Sequence, residues 1–169
     1  MAVKKSIAII GATEKAGSEI ASKLAKDDYR LLLVSNNEKE LTHLLNNINK
    51  NKPIAEIDTI GCIKDGCWEA DIIILAVDSN DAKEMAEKMK EVATQKIVVQ
   101  ILSQQNIDTS LQHLLPYSKI VEVFNILKST EILITSNDDE ANKEISGIFH
   151  NAGYLPIITD SFSSKKVTN

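Results

Sequence analysis

Residues 6–17 read Ser-Ile-Ala-Ile-Ile-Gly-Ala-Thr-Glu-Lys-Ala-Gly. The apolar run from Ile7 to Ile10 breaks at Gly11, passes through a loop, and reopens at Gly17 into Ile20, Ala21, Leu24 and Ala25, which recur at helical spacing. That order is strand, tight turn, helix, the opening unit of a dinucleotide-binding fold. In such a unit glycines let the backbone turn sharply, and the helix N-terminus offers unpaired N–H groups and partial positive charge to a pyrophosphate. Glu14 stands where close approach to phosphate favours a small residue. A carboxylate ~5 Å from a phosphate charge costs about 3 kcal/mol at an effective dielectric near 20, and under about 1 kcal/mol if solvated.

The pattern continues outward from this unit. Leu31 to Val34 is a continuous apolar run of the kind buried on both faces of a parallel sheet, and it ends at Ser35-Asn36-Asn37, residues suited to cap a helix carrying Leu41, Leu44, Leu45 and Ile48. Ile54 to Ile60 supplies a weak third strand. Asp71 to Val77 is the most apolar segment and predicts the central strand. Beyond it, Asp78 is placed to cap a helix with Ala82, Met85, Ala86, Met89 and Val92 on one face. Its other face carries Lys83, Glu84, Glu87, Lys88, Lys90 and Glu91, read as a solvated face. Strands follow at Ile97–Leu102, Ile120–Phe124, Ile132–Ile134 and Leu155–Ile158. A short helix is expected near Leu111–Leu115 and a longer one over Asp139–Asn151, closed by Ala152-Gly153. Strands alternating with amphipathic helices imply right-handed crossovers and a three-layer, doubly wound, mostly parallel α/β sheet. One domain over residues 1–160 is expected, with residues 161–169 as a flexible tail.

Composition narrows the function classes. The chain has 169 residues, 43% hydrophobic and 25% charged, with a formal net charge of -5. This acidic balance argues against a nucleic-acid partner, which needs clustered Lys and Arg. No apolar run approaches the ~20 residues of a membrane span, and the N-terminus reaches the first strand without a signal-peptide pattern, so a cytoplasmic location is expected. Cys62 and Cys67 lack a second pair or flanking histidines, so neither zinc nor a disulfide is indicated. No Tyr-x-x-x-Lys, Gly-Lys-Ser/Thr or Gly-x-Ser-x-Gly motif occurs. Among the histidines, His43, His113 and His150, only His113 is placed where it can face the ligand crevice, and a surface or packing role is favoured for all three. Trp68 is expected to anchor a helix against the sheet.

Ligands of doubly wound sheets sit beyond the carboxyl ends of the strands at the switch in strand order. The residues expected there are Gly11, Ala12, Thr13, Glu14, Lys15 and Ala16 for the pyrophosphate, and Ser35, Asn36 and Asn37 for the adenosine ribose. Val77, Asp78, Ser103 and Asn125 complete the crevice.

Several of these segments together resemble a family. Gly11-Ala12-Thr13 with Gly17, Ala21 to Lys26, Ser35 with Glu38-Lys39, Ala70 to Val77, Val123-Phe124-Asn125 and the step from Ile134 to Asp139 resemble the NADP oxidoreductases dependent on the deazaflavin coenzyme F-420. The pyrroline-5-carboxylate reductases are relatives of that family. The resemblance covers roughly residues 4 to 160 and implies an NAD(P)-binding Rossmann fold. It also implies hydride transfer between a nicotinamide dinucleotide, NADP or NAD with NADP slightly favoured, and a flavin-like or small-molecule acceptor near Asn125 and Ser103. A homodimer is a further expectation. The chain departs from the family pattern at Glu14, in place of a glycine, at Asn36, where neither an arginine for the 2′-phosphate of NADP nor an Asp or Glu for the NAD ribose stands, so that cofactor choice is open, and at Asp78, in place of a proline. The family continues into helices that contribute to substrate binding and dimerisation, so whatever holds the second substrate is expected to be missing or to come from another subunit. Two readings follow: an NAD(P)-dependent oxidoreductase, or a Rossmann module that senses a dinucleotide or acts through protein contacts without catalysis.

Overall fold

The computed structural model describes residues 3–102, 111–124 and 126–159. Eight strands and six helices are set out along the chain as β1 Ser6–Ile10, α1 Lys15–Leu24, β2 Arg30–Val34, α2 Glu38–Asn49, β3 Glu56–Ile60, α3 Ile63–Glu69, β4 Ile72–Leu75, α4 Ser79–Met89, β5 Ile97–Leu102, α5 Leu111–Leu114, β6 Lys119–Phe124, β7 Glu131–Thr135, α6 Asp139–Asn151 and β8 Leu155–Ile158. They form one sheet in the order β3-β2-β1-β4-β5-β6-β7-β8. The first six strands run parallel, β7 is antiparallel to β6, and β8 is parallel to β7. The order reverses between β1 and β4, which fixes the ligand crevice above those strands.

Helices α1, α2 and α6 cover one face through Ile20, Leu24, Leu41, Ile48, Ile145 and Phe149. On the opposite face α3, α4 and α5 contribute Cys67, Ala86, Met89 and Leu111. All four residues of β4 are buried, as a β-branched run sandwiched between helices should be. Fully burying each such side chain contributes about 1.5–3 kcal/mol.

Three local expectations change. Helix α1 begins at Lys15 instead of Gly17, and β3 begins at Glu56 with Ile54 outside it. Helix α3 has no counterpart in the sequence reading. It buries Gly66 and Cys67 and leaves Trp68 71% exposed, so the tryptophan points outward and anchors nothing. Lys96 fastens this helix instead, its Nζ donating to the Trp68 carbonyl oxygen at 2.8 Å in the C-terminal turn, where cations are favoured.

The two sheet edges differ. On β3, Glu56 and Asp58 pair with Lys4 and Arg30, which makes that edge charged. The β8 edge carries the uncharged Leu155-Pro156-Ile157-Ile158. Leu155 and Thr159 donate inward to Thr130 and Ile134, so the even-numbered residues face outward and Pro156 removes an outward N–H.

Candidate functional site

The crevice is built first by backbone geometry. Gly11 adopts φ +79°, and a Cβ there would lie 2.5 Å from Val77 Cγ1 and 2.7 Å from the Ala76 carbonyl oxygen. The N–H groups of Gly11 and Ala12 both donate to the Val34 carbonyl at 3.2 and 3.3 Å, and Glu14 N–H closes the turn onto the Gly11 carbonyl at 3.0 Å. Helix α1 then passes directly beneath the turn: a Cβ on Gly17 would sit 2.1 Å from the Gly11 oxygen. The two glycines therefore perform two separate jobs, reversal of the chain and close approach of helix to loop.

The first helical hydrogen bond runs from Ser18 N–H to the Glu14 carbonyl at 2.8 Å, so the N–H groups of Lys15, Ala16 and Gly17 precede the intrahelical ladder. Glu14 occupies the N-cap with extended backbone, but its side chain makes no capping hydrogen bond and is exposed toward the crevice. The helix therefore presents free donors next to a solvated carboxylate.

The end of β2 supplies a second, polar lip. Thr13 Oγ1 and Ser35 Oγ share a hydrogen bond at 3.2 Å, which ties this lip to the glycine turn. Ser35 Oγ also accepts Asn37 N–H at 3.1 Å, and Asn37 Oδ1 caps α2 by accepting Glu40 N–H at 3.1 Å. With Ser35 and Asn37 engaged internally, Asn36 is the exposed amide of this lip that borders the cleft.

Together these segments border a cleft of about 1080 Å³, just above the range for ligand pockets, about 300–1,000 Å³. Gly11, Thr13, Glu14, Ser35, Asn36, Asn37 and Val77 line it. Beside it, Ala12 is buried beneath the turn, Ala16 packs against the core, Lys15 is exposed, and Asp78 is exposed at the N-cap of α4 without a side-chain capping bond. The expected side-chain cap at Asp78 is thus absent; only its carbonyl enters the helix, accepting Ala82 N–H at 2.7 Å. Ser103 and Asn125 lie outside the described residues.

The far wall was not legible in the sequence. It comes from Gly61, Cys62 and Ile63 at the start of α3, and from Asp81, Glu84, Met85 and Lys88 of α4, so part of the charged face of α4 borders the cleft. Ile63, Val77 and Met85 give this wall half-buried apolar surface. Cys62 is exposed there, whereas burial pushes the Cys67 thiol up to about 12 and leaves it inert. His43 sits in a neighbouring depression with Thr13 and Glu40. His113 is exposed on α5 and does not line the cleft, and His150 is exposed on α6. Among the described residues no group of His, Cys, Asp and Glu is arranged to hold a metal ion, and no helix is long and apolar enough to cross a membrane.

The family described as NADP oxidoreductase, coenzyme F420-dependent, matches residues 6–104, which take in the glycine turn, the β2 lip and both walls of the cleft. The chain belongs to this coenzyme F420-dependent NADP oxidoreductase family. None of the curated proteins matches it in sequence. Its fold is similar to a candidate F420-dependent NADP reductase of Arthrobacter sp. FB24, at 14% identity and a TM-score of 0.71 over 98% of this chain and 89% of that one. It is also similar to a pyrroline-5-carboxylate reductase of Coxiella burnetii, at 17% identity and a TM-score of 0.73 over 96% and 61% of the two chains. The pyrroline carboxylate reductase of Plasmodium falciparum, solved with NADP bound, shares 18% identity and a TM-score of 0.71 over 96% and 59%. The chain thus spans nearly nine-tenths of one relative's length and about three-fifths of the other two. At these identities the solved structures show a common fold, while membership of the F420-dependent family rests on the sequence match.

Proposed function

We propose that the cleft binds a nicotinamide dinucleotide and that the protein is an NAD(P)-dependent oxidoreductase. The observation that carries this reading is the glycine turn: Gly11 at positive φ and Gly17 beneath its carbonyl bring the N-terminus of α1, where the N–H groups of Lys15 and Ala16 precede the helical ladder, next to the cleft-lining Thr13 and Glu14. Family membership supports the same reaction class. In this arrangement the α1 N-terminus holds the pyrophosphate, Asn36 meets the adenosine ribose, and the adenine packs against Ile63 and Met85. The nicotinamide extends toward the ends of β4 and β5. Hydride transfer from a bound nicotinamide needs chiefly positioning and a dry pocket, so this chemistry asks for no dedicated acid–base pair.

A non-catalytic dinucleotide sensor is the second reading, favoured by the exposed Glu14 carboxylate beside the pyrophosphate position. Calorimetric titration with NADH and NADPH tests the site itself: a dissociation constant below about 100 µM for either establishes it, and no binding at millimolar concentration overturns it. Loss of the 340 nm absorbance on addition of flavin or deazaflavin acceptors supports the oxidoreductase; binding without turnover across such acceptors supports the sensor.

A further inference from the structure

We infer that the ribose end of the cleft selects an unphosphorylated adenosine, so that the protein prefers NAD(H) to NADP(H), with Asn36 and Glu40 as the selecting residues. This inference rests on the reading of the cleft as a dinucleotide site. Five observations carry it.

The lip at the end of β2 contains Ser35, Asn36, Asn37 and Glu40, and no lysine or arginine from this lip lines the cleft. A 2′-phosphate needs a cation or several free donors, whereas a ribose diol is satisfied by amide and carboxylate groups. The internal bonds of Ser35 Oγ and Asn37 Oδ1 leave few free groups here, chiefly the Asn36 amide and the Glu40 carboxylate.

The N-terminus of α2 offers one cation, Lys39, which is exposed and lies outside the cleft lining. The same first turn holds Glu38 and Glu40, which offset the positive end of the helix dipole that a phosphate would otherwise use. The cleft's lysines belong to the opposite wall, and two of them are already engaged: Lys64 with Glu91 at 3.4 Å and Lys88 with Glu84 at 3.3 Å. Along the whole cleft Glu14, Glu40, Asp81, Glu84, Glu87 and Glu91 face Lys64, Lys88 and Lys90, an excess of negative charge. A phosphate monoester adds about -1.5 to -2 at neutral pH. The added charge falls at a lip whose one cleft-lining charged group is the Glu40 carboxylate.

Titration calorimetry of the whole chain with NADH and NADPH decides the point, repeated on Glu40→Gln and Asn36→Arg. Both side chains are exposed, so neither substitution disturbs the core. The wild-type protein is expected to bind NADH at least about tenfold more tightly than NADPH. Glu40→Gln should improve NADPH binding several-fold and weaken NADH binding, narrowing the preference. Asn36→Arg should improve NADPH about tenfold or more. Equal or tighter NADPH binding by the wild type overturns the preference while leaving the dinucleotide reading intact, and so do variants that shift both dinucleotides alike. Failure of both dinucleotides to bind any of the three proteins removes the dinucleotide reading and this inference together.

Discussion

At the scale of single residues the glycine turn makes opposite demands at positions three apart. Gly17 has no room for a methyl group, because a Cβ would stand 2.1 Å from a backbone oxygen that the turn geometry fixes. Gly17→Ala should therefore cost about 3 kcal/mol or more, a fall in Tm of about 6 °C or more, and weaken dinucleotide binding with it. Gly147→Ala in α6 is the matching control: nothing lies within 4 Å of a Cβ there, and that variant should be as stable as the wild type or more so. An unchanged melting temperature for Gly17→Ala would refute the close-approach argument. Glu14 is the converse case, a residue with space and the wrong charge. Its side chain is exposed and caps nothing, so Glu14→Gly should leave stability nearly unchanged and tighten NADH binding by a few-fold to about a hundredfold, depending on how well water screens the carboxylate. Titration of the two proteins side by side measures the difference, and equal affinities would show that Glu14 does not impair the loop.

At the scale of elements, the half of the sheet away from the glycine turn carries an unusual polar row. Gln100, Glu122 and Thr135 stand in register on β5, β6 and β7, and Gln100 Oε1, Glu122 Oε2 and Thr135 Oγ1 are buried without a hydrogen-bond partner among the described residues. Burial raises the Glu122 pKa above the usual carboxylate value of 4.5. A raised folded-state pKa means that the folded chain holds this proton more tightly than the unfolded chain, so stability is retained below about 4.5 and is lost as pH climbs through the folded value. Glu122→Gln keeps the shape and removes the titration. Its melting temperature should match wild type near pH 4 and exceed it by about 2–4 °C at pH 8, for about 1 kcal/mol. A constant difference across that range would exclude Glu122 as the source.

Elements also show what the sequence could and could not reveal. Strands β5 and β8 and helix α6 fall at their expected bounds, because each has a largely apolar run or a clean helical stripe between turn residues. Helix α3 has neither: Gly66 and Cys67 alone are buried in it, and its place depends on Lys96 nearly thirty residues away. Local pattern carries no trace of such a tertiary tie. The same cause hid the far wall of the cleft, since Glu84 and Lys88 have the spacing of a solvated helix face and become cleft residues only when α4 packs beside the turn. The glycine turn and the β2 lip were readable because their chemistry is local to a few adjacent residues.

At the scale of the whole molecule, charge sets how the cleft meets an anionic ligand. The chain carries a formal net charge of -5, and the cleft repeats that excess on its own walls. On the proposed reading of the cleft, a dinucleotide approaching this surface is repelled at long range and held at short range by N–H groups, amides and apolar side chains, contacts that salt affects little. Screening length falls from ~30 Å at 0.01 M to ~8 Å at 0.15 M ionic strength, so added salt should weaken the repulsion more than the binding contacts. NADH affinity is therefore expected to rise, by about two- to threefold, between 10 and 150 mM sodium chloride, and the slope for NADPH should be steeper because its extra phosphate meets the same field. Titrations at four salt concentrations give both slopes. Binding that weakens with salt would mean that Lys64, Lys88 and Lys90 grip the phosphates directly, and the carboxylates of the cleft would then be bystanders to recognition.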